Sequence, residues 1–387
     1  MRTAFTADRL WDGARFLDRP FIVVEDGGIA SIGSRVSEES PDVASVVDFA
    51  GATLAPAFFD VHIHGAAGHD VMEATPLALT AIGTFLASRG TGNFLATTVT
   101  APLDRTLKSL AGLAKLISTA SDDGVAKPIG IHLEGPFLSH AKRGVHPPGL
   151  LLAPDLKVFD RMFEAAEGHV RLMTLAPELP GAAELAAHAT ERGVRVSMGH
   201  SNATAAETRA VIAAGATSAT HTFNAMRPID HREPGILGVV LTTDELFAEL
   251  ICDGIHTAPE MVRLWWKTKG QDRGILITDA MSATGMPDGQ YDLGGLSVQV
   301  ADGKAMMDGV LAGSVLTLDR ALKNFLGFTG ATVEQGLRLL TTNPAAMTGI
   351  SGNVGRIAVA QSADFVALDA KGKLVGSIVN GNVAYRG

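Results

Sequence analysis

A single cysteine in 387 residues, Cys252, leaves no internal disulfide to be formed, in keeping with a reducing, cytoplasmic compartment. No long run of lysine or arginine occurs and the formal net charge is -9, so neither nucleic acid nor an anionic membrane is expected as the main partner. An anionic substrate would need a local cationic pocket. No uninterrupted apolar stretch approaches the length of a membrane span. The first residues, Met1 to Asp8, meet acid before any apolar region develops, so no signal peptide is expected. Low-complexity tracts and fixed-period repeats are also missing. What is present is 46% hydrophobic residues with many glycines and alanines and only 5% aromatics, the make-up of a soluble α/β protein long enough for one large domain and a small appendage.

Residues 1 to about 52 alternate short apolar runs with hairpin signals: Phe21 to Val24, Asp26-Gly27-Gly28, Ile29 to Gly33, and Val43 to Phe49. The C-terminal stretch repeats the pattern in Val354 to Ile357, Ala363 to Leu368 and Leu374 to Val383. Neither end holds enough strands for a core, so residues 1–52 and 346–387 are expected to pack together as one small β-sandwich, discontinuous in sequence. Between them, residues 53–345 alternate apolar strands with alanine-rich helical windows, including Pro76 to Ser88, Leu103 to Thr119, Ala182 to Arg192 and Thr204 to Ala214. Strand ends fall near His64, Val99, Glu134, Leu175, Met198, His221, Cys252 and Thr278. Eight such strands predict an α/β chain folded as a (β/α)8 TIM-type barrel, with a glycine-rich β insertion near residues 287–313.

Reactive groups in such barrels sit where the strands end. In Asp60-Val61-His62-Ile63-His64-Gly65 the side chains two apart share a face, which lets both imidazoles grip one ion. The third strand ends on Glu134, the fifth leads to His200, the sixth to His221 and the eighth to Asp279. One buried histidine at a strand end is commonly a satisfied core residue, and one carboxylate there commonly caps a helix. Six nitrogen and carboxylate ligands on five strand ends form instead a set that Zn²⁺ or Fe²⁺ accepts. His132 is read as core or as a support behind the ligands. His69, Asp70, His140, His169, His188 and His231 are read as surface or loop, and Cys252 as an unreactive core residue.

Taken together, Asp60 to Gly65, His132 to Phe137, Gly199 to Ala203, Thr220 to Met226, Asp253 to His256 and Thr278 to Ala280 resemble the N-acetylglucosamine-6-phosphate deacetylase family of the amidohydrolase superfamily. The resemblance runs end to end. It implies a cytoplasmic hydrolase that releases acetate from N-acetylglucosamine 6-phosphate in amino-sugar catabolism and cell-wall recycling. N-acetylgalactosamine 6-phosphate or an N-acyl amino acid stands as the alternative substrate on the same site. Glu134, His200 and His221 would hold the main divalent ion, Zn²⁺ first, with Fe²⁺, Co²⁺ or Mn²⁺ as alternatives. His62 and His64, kept here where some members replace them, would with Asp279 admit a second. The fourth strand ends in Thr174-Leu175-Ala176-Pro177, without the modified lysine that bridges two ions in many superfamily barrels, so Glu134 would bridge.

The same resemblance implies roles for the remaining residues. Asp279 would take a proton from the attacking water and pass it to the leaving amine. His146 would steady the carbonyl oxygen, and His256 would contact the sugar. Backbone N–H groups at Asn224 and Ala225 would cradle the phosphate. Arg232 would reach that phosphate from the neighbouring subunit of a homodimer. Arg227 is an added cation beside the Asn224-Ala225-Met226 block.

Overall fold

The computed structural model describes residues 2–36, 42–119, 124–350, 352 and 354–387. Eight parallel strands follow one another around a nearly closed barrel: β1 (Phe58–Ile63), β2 (Thr91–Thr98), β3 (Lys127–Glu134), β4 (Val170–Leu175), β5 (Arg195–Met198), β6 (Ala216–Ala219), β7 (Phe247–Ile251) and β8 (Gly274–Ile277). Strands β1 and β2 are buried at every residue, as a parallel strand must be when side chains fill one face and helices cover the other. The four helical windows appear as Pro76–Ala87, Leu103–Ser118, Ala182–Glu191 and Ala205–Ala213. Thr75 and Thr204 cap two of them by accepting backbone N–H bonds.

The barrel's seam lies between β8 and β1. The Asp279 N–H donates to the His62 carbonyl at 2.9 Å and the His64 N–H to the Ala280 carbonyl at 2.8 Å. Below them the Thr278 hydroxyl donates to Asp60 Oδ2 at 2.6 Å. Asp60 is thus turned to the seam and stands outside the ligand groups, although it alternates with His62 and His64 in sequence. Burial pushes its carboxyl up to about 7, against the pull of the Thr278 and His62 hydrogen bonds.

Both chain ends enter one eight-stranded sheet, whose order runs Asn382–Arg386, Leu374–Val379, Phe365–Leu368, Ser45–Pro56, Arg2–Trp11, Pro20–Glu25, Gly28–Ser34, with Phe16–Asp18 beside Arg2–Trp11. The sheet curls over until Gly28 bridges Ser362 and the Ile29 N–H reaches the Gln361 carbonyl at 2.8 Å. Phe5 and Phe365, on strands separated by Ser45–Pro56, therefore meet edge to face at 5.1 Å inside a small core of their own. The two layers of the expected sandwich are halves of one continuous sheet. Arg2–Trp11, central in that sheet, escapes the sequence pattern because Thr3, Thr6, Asp8 and Arg9 dilute its apolar residues. Val354 to Ile357, expected as a strand, forms a loop tied to the sheet by the Ile357 N–H on the Asp12 carbonyl; residue 353 beside it lies outside the described residues.

The insertion is a four-stranded antiparallel sheet of Gly289–Leu293, Leu296–Ala301, Lys304–Met307 and Val310–Leu311, followed by the helix Leu318–Thr329. Asp70 anchors it. Read from sequence as surface or loop, Asp70 is 2% exposed: Oδ1 accepts the Met72 N–H and Oδ2 the Gly294 N–H, a buried clasp between the first barrel loop and the insertion.

Candidate metal centre

The ends of β1, β3, β5, β6 and β8 bring six side chains to one point. Glu134 lies at its middle. Its Oε1 is 3.2 Å from His200 Nε2, 3.1 Å from His221 Nε2 and 3.4 Å from His62 Nε2, while Oε2 is 3.2 Å from His64 Nε2. Asp279 Oδ1 stands 3.1 Å from His64 Nε2 and 3.5 Å from His62 Nε2. The ligand atoms separate into two groups compact enough to hold a metal ion, Glu134 with His200 and His221, and His62 with His64 and Asp279. One carboxylate faces both.

Three of the four histidines are fixed from behind. His200 Nδ1 donates to the Lys142 carbonyl at 2.9 Å, His64 Nδ1 to the Thr97 carbonyl at 3.0 Å, and His62 Nδ1 to Glu249 Oε2 at 3.3 Å. A proton committed to Nδ1 leaves Nε2 with a lone pair aimed inward. His62 Nε2 is buried without a hydrogen-bond partner, and the Nε2 atoms of His200 and His221 converge to 3.0 Å. Converging lone pairs and carboxylate oxygens fit a cation. Electrostatics agrees. Burial disfavours the charged form of His64, yet hydrogen bonds to Asp279 and Glu134 and their charges hold it up at about 9; His62 is raised by the same carboxylates against its own burial. Burial alone would raise Glu134 and Asp279, but the facing imidazoles, His62 foremost, hold both below the usual carboxylate range. The site demands positive charge. His200, His221 and Asp279 hold φ values of 45°, 28° and 50°, so the chain turns left-handed directly after three strands to aim these side chains.

The groups face a cavity of about 510 Å³, large enough for a sugar phosphate. His146 lines it beside these groups, its ring 4.7 Å from that of His200 and Nε2 3.6 Å from Glu134 Oε2. Thr100 approaches its Nδ1 with the backbone N–H at 3.4 Å and the hydroxyl at 2.8 Å. Nδ1 accordingly accepts, and the Nε2–H points into the cavity as a donor. Burial keeps the ring neutral by pushing its pKa down. His256 lines the cavity with Nδ1 2.7 Å from Asp253 Oδ2; burial opposes its charge, but the Asp253 bond and charge raise its pKa. Asn224 and Ala225 also line the cavity, and the loop carrying them is tied to that of His200 by the Ser201 N–H on the Ala225 carbonyl.

Arg232 is not brought in. It lies exposed on the loop after β6, outside the cavity lining, with its backbone N–H capped by Asp230. Arg227 is half-buried and also outside the lining. His140, exposed as its surface-or-loop reading expects, also lines the cavity together with Lys142 and Arg143, a cationic group that the adjacent Lys-Arg pair could have signalled. Two further buried groups stand behind the ligand set, His132 as expected and Glu249 missed by the sequence reading. His132 packs its ring 4.7 Å from that of His62, and its Nε2 contacts the Thr174 hydroxyl at 2.8 Å, which makes it a neutral support. Glu249, the one carboxylate inside the apolar run Phe247–Ile251, sits behind His62.

The amidohydrolase family model matches residues 53–385. N-acetylgalactosamine-6-phosphate deacetylase of Escherichia coli O157:H7 is 37% identical over 371 residues, 96% of either chain. N-acetylglucosamine-6-phosphate deacetylase of Lysinibacillus sphaericus is 38% identical over 347 residues, 89% of this chain and 88% of that one. A mutant N-acetyl-D-glucosamine-6-phosphate deacetylase from Mycobacterium smegmatis, solved in complex with N-acetyl-D-glucosamine-6-phosphate, has a TM-score of 0.91 at 33% identity, with 99% of each chain covered.

Proposed function

The chain belongs to the amidohydrolase family, and from that premise we propose that it hydrolyses the N-acetyl group of N-acetylglucosamine 6-phosphate to acetate and glucosamine 6-phosphate, within amino-sugar catabolism and cell-wall recycling. The observation that carries this reading is the paired ligand set around Glu134 at the floor of a sugar-sized cavity lined in part by that cationic group. The groups all sit at strand ends of the barrel and none comes from the chain-end sheet, a division drawn at 53–345 against 1–52 with 346–387, although the strand Ser45–Pro56 runs across the first of these bounds.

Glu134, His200 and His221 would hold one divalent ion, and His62, His64 and Asp279 a second, with Glu134 between them. When bound, the cation, Zn²⁺ before Fe²⁺, Co²⁺ or Mn²⁺, supplies Lewis acidity toward water and the amide carbonyl. Asp279 takes the proton from the attacking water as the oxygen joins the carbonyl carbon. It returns that proton to the sugar nitrogen as the C–N bond breaks, which leaves acetic acid and a free amine; the acid's proton then passes to the amine, giving acetate and the ammonium form. The His146 Nε2–H donates to the carbonyl oxygen as charge gathers there. His256, held by Asp253, meets the sugar. The Ala225 N–H and the Asn224 side-chain amide meet the phosphate, because the Asn224 N–H, expected there from sequence, is committed to the His221 carbonyl at 3.0 Å, and Arg232 completes that site from the second subunit of a homodimer. The reading places the protein in the cytoplasm; among the described residues no helix is long and apolar enough to cross a membrane.

Acetate release from the two epimeric phosphosugars tests the assignment. The gluco epimer is expected to turn over faster, and a strong chelator to abolish the activity. Preference for the galacto epimer would move the substrate to that of the Escherichia coli relative. A fully metal-loaded protein inert toward both would end the proposal. Mixing Arg232→Ala and Asp279→Asn proteins tests the shared site: a hybrid dimer regains activity if Arg232 crosses the interface and stays inactive if it acts within its own chain.

A further inference from the structure

Glu249 has no part in the chemistry just described, yet it is fully buried at 0% exposure in the middle of β7, where a carboxylate is costly to bury without partners. Its Oε2 is shared between the two ligand groups: it accepts from His62 Nδ1 at 3.3 Å and from the backbone N–H of His221 at 3.3 Å. Its Oε1 has no hydrogen-bond partner. The residue is locked in place by its own backbone, since the Thr222 N–H donates to the Glu249 carbonyl at 2.8 Å. Among the described residues, no other side chain is seen to hydrogen-bond both a histidine of the first-strand pair and the backbone of His221.

We infer that Glu249 is a positioning residue that prepares the His62, His64 and Asp279 group for its cation and ties that group to His221. A carboxylate on Nδ1 fixes the His62 tautomer, aims Nε2 and makes the ring a stronger donor. His64 is fixed by a backbone carbonyl, and His221 Nδ1 has no partner at all. Of the ring contacts to the ligand histidines, the Glu249 contact on His62 is thus the one that brings negative charge from behind. The inference rests on the two-ion reading given above.

Zinc titration of wild-type protein, Glu249→Gln and Glu249→Leu, followed by chelator competition, provides the test, with Co²⁺ absorption reporting the geometry of each filled group. The wild type is expected to take up two equivalents. Glu249→Leu should weaken the second equivalent by about 10- to 100-fold and leave the first within about threefold. Glu249→Gln keeps the volume and can present its carbonyl oxygen to His62 Nδ1–H, so it should recover most of the loss, which a purely space-filling role would not require. Thermal unfolding of the metal-free proteins checks that both variants fold. Unchanged affinity for both equivalents in Glu249→Leu, or loss of both together, overturns the inference. A wild type that saturates at one ion removes the two-ion reading and Glu249's role with it, a result visible before any variant is made.

Discussion

In the proposed reaction His146 depends on its neighbour for the ring form that donates to the carbonyl oxygen. Thr100 presents two hydrogen donors to Nδ1, and only that arrangement places the other ring proton in the cavity. Thr100→Val removes the hydroxyl at nearly constant volume, so kcat is expected to fall roughly tenfold with KM little changed, the equivalent of about 1.4 kcal/mol. His256 offers a pH test. Its pKa is raised by Asp253, so the ring stays charged above its ordinary range and loses that charge as pH rises. Asp253→Asn should lower the pH at which affinity for the phosphosugar begins to decline, read from the pH profile of KM. At this scale the candidate ligands were legible because Glu134 ends a strand and His200, His221 and Asp279 each lie two residues past one. The supports were not: nothing in the one-dimensional pattern places Glu249 behind His62 or Thr100 against His146, since those contacts span 187 and 46 residues.

Among the elements, the closing seam explains why β1 and β8 supply one ligand group between them. Backbone bonds from Asp279 to His62 and from His64 to Ala280 set the register, so the three side chains are placed by strand pairing. Replacing both His62 and His64 should remove one equivalent of metal and leave the Glu134, His200 and His221 ion, as measured by metal analysis. A second contact joins helices. Lys269 on Pro259–Arg273 donates from Nζ to the Val240 and Thr243 carbonyls at 3.1 and 2.7 Å, at the end of the helix Gly235–Thr242. Burial pulls its pKa down to about 8. Between pH 8 and the ordinary lysine value the unfolded chain therefore holds more protons than the folded one, and folding stability gains with rising pH across that window. Lys269→Met should flatten that part of the stability profile, measured by denaturant unfolding. The barrel strands were legible from their apolar runs. The central strand Arg2–Trp11 was not, because packing within the curled sheet overrides a weak local pattern.

At the scale of the whole molecule, the chain crosses between the small sheet and the barrel twice, first through Ser45–Pro56. Ser45–Pro56 ends one residue before β1 begins, and its other edge pairs with Phe365–Leu368, Phe365 opposite Pro56. A chain cut before Phe365 would leave that edge open and uncover the Phe5 and Leu54 side chains of the small core. Such a protein is expected mostly in the insoluble fraction, checked by sedimentation and size-exclusion chromatography. The architecture could be foreseen because both chain ends carry hairpin signals and neither suffices alone; the curl of the sheet arises from contacts between residues more than 300 apart and leaves no local trace.

That pairing also sets a timetable. During synthesis Ser45–Pro56 leaves the ribosome about 300 residues before its partner, which at ~5–20 residues per second is a wait of roughly 15 to 60 s. Through that interval the whole barrel can be translated while the strand that leads into it keeps one edge unpaired. Nascent chains stalled ahead of Phe365 should for that reason be the species a chaperone holds longest.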